Sequence, residues 1–219
     1  MLFIVSTAVL ALTANASTIV FNTFGPGHSY NPVGSYNMQG ASIGGFEEIA
    51  APFTAALSGN VAMVELGLTF NPSPVGQGPV NIYLYADANG LPDNANQTLL
   101  GSGTPKAPAG TCSSSIVSLS VVSNVAVTMG TNYWLVLKPG GGSVLDLWMF
   151  SSMTGAIANS FDDSTWNTAP LFSPAFRLTT ASVGSVPDFG NTFVLMLGSL
   201  AALFSVQRMF FHCQDQPQT

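Results

Sequence analysis

Charge is what this sequence has least of. Lys, Arg, Asp and Glu make up 6% of its 219 residues, and the formal net charge is −6. The basic residues are Lys106, Lys138, Arg177 and Arg208. Nucleic-acid binding draws on a basic stripe, so no nucleic-acid partner is expected. Histidine is almost as rare, with His28 and His212 alone. Histidine-based triads and His-rich metal sites are therefore poorly supplied. There are two cysteines, Cys112 and Cys213. They lie on either side of the apolar run near the C-terminus, so no intramolecular disulfide is expected. No G-x-S-x-G, H-E-x-x-H or P-loop pattern occurs, and no repeat of 20–50 residues is visible. Before residue 190 there is no convincing amphipathic helix.

Short apolar stretches between Gly, Pro, Asn and Ser turns are what fill the body instead. Strands are expected at 18–24, 46–54, 61–70, 80–85, 98–100, 116–121, 125–128, 133–137, 145–150 and 175–179. Residues 30–45 read as a polar, Gly-rich loop. In 61–70, Val64, Leu66, Leu68 and Phe70 alternate with Met63, Glu65, Gly67 and Thr69, which places the apolar set on one face. Asp87-Ala88-Asn89-Gly90-Leu91-Pro92 is a turn, with Asn89-Gly90 supplying positive φ. About ten strands at this spacing predict an all-β fold, a jelly-roll-like β-sandwich. A surface this poor in charge must be covered by Ser, Thr, Asn and Gly, which suits an exported protein.

Both ends of the chain read as targeting segments. Residues 1–16 are apolar and finish on Ala14-Asn15-Ala16, an A-x-A-like cleavage site. A signal peptide is expected there, with Ser17 opening the mature chain and 17–185 forming one extracellular domain. The alternative is a short N-terminal membrane anchor. Residues 192–206 carry no charge, and as a helix they span ~22 Å against a ~30 Å hydrocarbon core. Extension to a transmembrane helix of about 191–211 brings the span close to full width. Arg208 then lies at the membrane end, and 212–219 forms a cytoplasmic tail. The alternative is a buried core helix or a last strand.

Val186-Pro187-Asp188-Phe189-Gly190, the apolar run and Arg208 together resemble the PEP-CTERM class of bacterial sorting signals, most closely its VPDSG-CTERM variant. Phe189 stands where that variant has Ser, and a single Arg208 replaces an Arg cluster. The resemblance implies that Val186, Pro187, Asp188 and Gly190 are recognised by an exosortase-type processing enzyme in the membrane. The body also resembles choice-of-anchor R domains. The matching pieces include residues 21–27, 51–54, 80–87, Gly90-Leu91-Pro92, 132–136, Ser164-Thr165-Trp166 and Ala175-Phe176-Arg177. This second resemblance implies an exported, surface-anchored bacterial domain and assigns no reaction.

Candidate sites within the body are few. Asp162 and Asp163, beside two hydroxyl residues, could offer hard oxygen ligands to Ca²⁺, although a solvated turn is the favoured reading. Trp134, Trp148 and Trp166, with Tyr83, Tyr85 and Tyr133, could stack on sugars. Trp134 and Trp148 lie in apolar strands and read as core, which leaves Trp166 as the exposed glycan-binding candidate. Glu47, Glu48 and Glu65 are carboxylates of the kind a glycosidase pairs. Neighbours on a strand point to opposite faces, however, and nothing selects a pair. The sequence therefore predicts no catalytic residues and no required cofactor. It predicts an exported, non-enzymatic protein with a structural or adhesive role in the envelope or extracellular polysaccharide. A carbohydrate-binding module, stabilised by Ca²⁺, is the alternative.

Overall fold

Alternation in the apolar stretches is realised as antiparallel pairing throughout. A computed structural model describes residues 17–70, 78–105, 115–121, 124–142 and 145–181. The expected signal peptide, Cys112, the sorting motif, Arg208, the transmembrane helix and Cys213 lie outside the described residues. Among the described residues, no helix is long and apolar enough to cross a membrane.

Among the described residues there are twelve strands: β1 (Thr18–Asn22), β2 (Asn31–Gln39), β3 (Glu48–Thr54), β4 (Gly59–Phe70), β5 (Val80–Asp87), β6 (Pro92–Gly103), β7 (Ser115–Ser120), β8 (Ala126–Val127), β9 (Asn132–Pro139), β10 (Leu145–Ser160), β11 (Asn167–Pro174) and β12 (Phe176–Thr180). They pair in the order β1-β12-β4-β10-β3-β9-β5-β6. In addition, β2 and β11 pair with β10, and β7 and β8 pair with β4.

The long strand β10 joins the two halves of this sandwich-like, all-β body. Its residues 145–150 pair with β2 and β4, whereas 154–160 pair with β11 and β3. The β10–β11 register shifts between Phe150 and Thr154, where the strand changes partners. Val64, Leu66, Leu68, Trp148, Phe176 and Leu178 from one half meet Ile49, Ile82, Leu135, Leu137 and Ile157 from the other in one core. The alternation expected for 61–70 is therefore seen in the buried Val64, Leu66 and Leu68.

Two segments correct the sequence reading. The expected loop at 30–45 contains β2, which lies along the first half of β10 with Tyr36 opposite Trp148. Gly34 makes this possible, because a Cβ there would overlap the Phe150 ring. The strand at 145–150 continues to Ser160, and β11 returns along it despite two prolines. Proline is tolerated in β11 because β10 is the only strand it pairs with among the described residues. The β5–β6 hairpin closes through Asn89 (φ 58°) and Gly90 (φ 82°). Ala88 and Leu91 exchange both backbone hydrogen bonds across it, so this is a two-residue turn of the type that Asn-Gly favours.

Candidate functional site: a buried Lys–Glu pair capped by Asp163

Strands β3 and β9 bury both of their faces, and β5 does so at Tyr85. Ile49, Leu137 and Ile82 point into the main core. The alternate residues Ala50, Trp134, Val136 and Tyr85 point the other way and form a second cluster with Ala158 and Trp166, against which Tyr83 packs. Glu48 and Lys138 belong to this second face, one step along from Ala50 and Val136. Residues 161–166, following β10, supply Asp163 and Trp166 to it.

Lys138 is the centre of the cluster. Its Nζ contacts Asp163 Oδ1 directly and lies 3.2 Å from Glu48 Oε2. It also sits 5.3 Å and 5.4 Å from the centres of the Tyr83 and Tyr85 rings. Glu48 is fully buried, and neither of its carboxylate oxygens makes a hydrogen bond among the described residues. Burial pushes the Glu48 carboxyl up to about 7, against the pull of Lys138. Burial works against the Lys138 ammonium too. Its contacts with Asp163, Tyr85 and Glu48 outweigh that and hold its pKa above the ordinary lysine value.

A network of polar contacts fixes the loop over this face. Asp162 Oδ1 accepts hydrogen bonds from the Ser164 and Thr165 N–H groups (2.9 and 2.6 Å). These hold its carboxyl well below the usual range. Asp163 sits at φ 61°, a left-handed conformation that turns its side chain toward Lys138. Asn94 of β6 clamps the loop from the other side. Its Nδ2 donates to the Ser164 carbonyl (2.7 Å) and its Oδ1 accepts from Trp166 Nε1 (2.9 Å). Trp166 then packs edge-on against Tyr85 at 6.1 Å.

The sequence-derived candidates fare differently here. Trp166 is not the exposed residue that its polar surroundings suggested. It is buried at 9% relative exposure, because the loop folds it inward onto Tyr85 and Asn94. Trp134 and Trp148 are core, as their strands implied. Asp162 and Asp163 are adjacent but serve different partners, a turn and an ammonium. Among the described residues, no three His, Cys, Asp or Glu side chains come together so as to hold a metal ion. Glu65 is paired with Arg177, whose Nη1 also lies 2.5 Å from His28 Nε2. The sequence reading had not joined Glu48 to Lys138, which are 90 positions apart. The available signal was a charge at the inward-facing end of each apolar run, 48–53 and 133–138.

At the opposite end of β3 and β9 from this cluster, a cleft of about 710 Å³ opens among Pro52, Thr54, Asp87, Asn132, Trp134 and Thr168. Asp87 fixes its floor and rim together. Its Oδ1 accepts from Trp134 Nε1 (2.7 Å), and its Oδ2 accepts from the Gly90 N–H (3.2 Å). Thr54 Oγ1 donates to Asn132 Oδ1 (2.7 Å) across the same opening. No protein-family model matches the chain, and no curated protein matches it in sequence.

Proposed function

We propose that this chain is an exported envelope protein with a jelly-roll-like body. In this reading it is sorted to the cell surface through residues 186–219 and serves a structural or adhesive role there. The observation that carries the reading is the order of the tail: Val186-Pro187-Asp188-Phe189-Gly190, an uncharged run from 192 to 206, then Arg208. The resemblance of the body to choice-of-anchor R domains points the same way. So does the use made of the two cations among the described residues. Lys138 and Arg177 both pair with buried glutamates, as suits a scaffold whose polar groups serve its own folding.

The test is cell fractionation with surface proteolysis. Digestion of the body on intact cells supports export. Retention of full-length protein in the cytosol, protected until lysis, overturns it.

A second reading, the carbohydrate-binding module, rests on the cleft between Thr54, Asp87, Asn132 and Thr168. A few hydroxyl, amide and carboxylate groups rim an opening lined mainly by apolar side chains, Phe21, Pro52, Phe53 and Trp134 among them, a mixture suited to the apolar face and hydroxyls of a sugar ring. Glycan-array binding that falls on Asn132→Ala favours the module. Normal surface retention with no glycan bound favours the structural role.

A further inference from the structure

We propose that Lys138 and Asp163 become joined by an intramolecular amide bond between Nζ and Cγ, with Glu48 as the proton carrier. The three side chains come from consecutive positions across the sheet. Lys138 lies on β9, Glu48 on the central neighbour β3, and Asp163 on the loop that follows β10, whose Ser160 pairs with Glu48. Lys138 Nζ touches the Asp163 carboxylate and is also held against Glu48. Tyr83 and Tyr85 pack against the ammonium. Holding an amine against a carboxyl in one orientation replaces a bimolecular condensation with an intramolecular one.

Glu48 is fully buried, and its nearest charge is the amine that must lose a proton. Burial favours its protonated form, which suits a group that takes a proton and gives it back.

The step balances without an outside reagent. Glu48 accepts one proton from the Lys138 ammonium, freeing the nitrogen lone pair. The lone pair attacks Asp163 Cγ while the Glu48 carboxyl protonates a carboxylate oxygen. A second proton moves from the nitrogen to the departing oxygen. One C–N bond forms, one C–O bond breaks, one water leaves, and Glu48 returns to its carboxylate. The ammonium and one carboxylate are consumed together, and no atom is oxidised or reduced. The strong hold on the ammonium makes the step slow, but it need occur only once in each molecule. The bond would tie β9 to the 161–166 loop across β3. It would staple down the segment that carries Trp166, whether or not the protein is exported.

The test is mass spectrometry of the full-length folded chain after denaturation and chymotryptic digestion. The expected result is a branched peptide joining the Lys138 and Asp163 segments at their summed mass less one water. Of the two lysines in the sequence, only Lys106 would then react with an amine reagent under denaturing conditions. Linear peptides with free Lys138 and Asp163 side chains, and two reactive lysines, would overturn the proposal. Asp163→Ala, altered at a largely exposed side chain, should show no branched species and two reactive lysines. Glu48→Gln, verified as folded by near-ultraviolet circular dichroism, should form the bond about a hundredfold more slowly. Formation at the wild-type rate would remove Glu48 from the mechanism.

Discussion

Lys138 and Glu48 face each other across β9 and β3 on the side of the sheet turned away from the main core, 3.2 Å apart from Nζ to Oε2. Arg177 and Glu65 repeat the arrangement across β12 and β4, where they are register partners. In a chain so poor in charge, these pairs concentrate much of the electrostatic cost and gain of folding at two places.

The Arg177–Glu65 pair allows this to be tested separately from any covalent chemistry. Arg177→Met leaves the Glu65 carboxylate buried without its partner, which should cost about 3–5 kcal/mol. The double variant Arg177→Met with Glu65→Gln should recover much of that loss. Urea denaturation midpoints of the single and double variants measure the difference.

Asp146 should make the protein less stable as pH rises. It is fully buried, and burial raises its pKa from 3.8 to about 7. Between those values the folded state binds more protons than the unfolded state, so unfolding free energy falls as pH increases. The contribution is fully present below about 4 and lost through about 7. Asp146→Asn should flatten this slope and be more stable than wild type at pH 8, by on the order of 2–4 kcal/mol at most. Denaturation curves at pH 4, 6 and 8 provide the comparison.

Trp166→Ala should act as a core truncation and not as the loss of a surface ligand platform. The substitution empties the space beside Tyr85 and removes the donor to Asn94 Oδ1. A loss of about 3–5 kcal/mol is expected. Trp166→Phe, which keeps a ring against Tyr85, should lose less. Thermal unfolding of the two variants ranks them.

How much of this was legible in sequence depended on whether a segment buries an alternating apolar set. Residues 61–70 and 80–85 do, and both form the strands expected. Asn89-Gly90 signalled its own turn, because few other pairs accept positive φ twice in succession. Strand β2 was hidden for the opposite reason. Its Pro32, Gly34 and two asparagines carry loop chemistry, and Tyr36 and Met38 send apolar side chains inward. Strand β11 carries two prolines and exposes Leu171 and Phe172, so its pattern followed neither template. The Lys138–Glu48–Asp163 cluster is a tertiary fact. Its members sit on three separate elements, and no local spacing brings them together. Trp166 was misleading because Asp, Ser and Thr neighbours usually mark a solvated loop. Here those same residues cap the turn that folds the indole inward.

The close fit of β2 makes its own prediction. Gly34→Ala would drive a methyl group into the Phe150 ring, which also packs on Tyr36 at 4.6 Å and Phe172 at 5.3 Å. Overpacking of this kind should cost about 1–3 kcal/mol. Adding Phe150→Leu should restore part of the loss, and the two midpoints measured together test the coupling.

The central claim, that this is a sorted surface protein, is tested most directly by the intact mass of the protein recovered from its native envelope. The account predicts a chain that begins at Ser17 and ends between Val186 and Gly190. A chain that retains the residues through Thr219 would contradict processing by an exosortase-type enzyme.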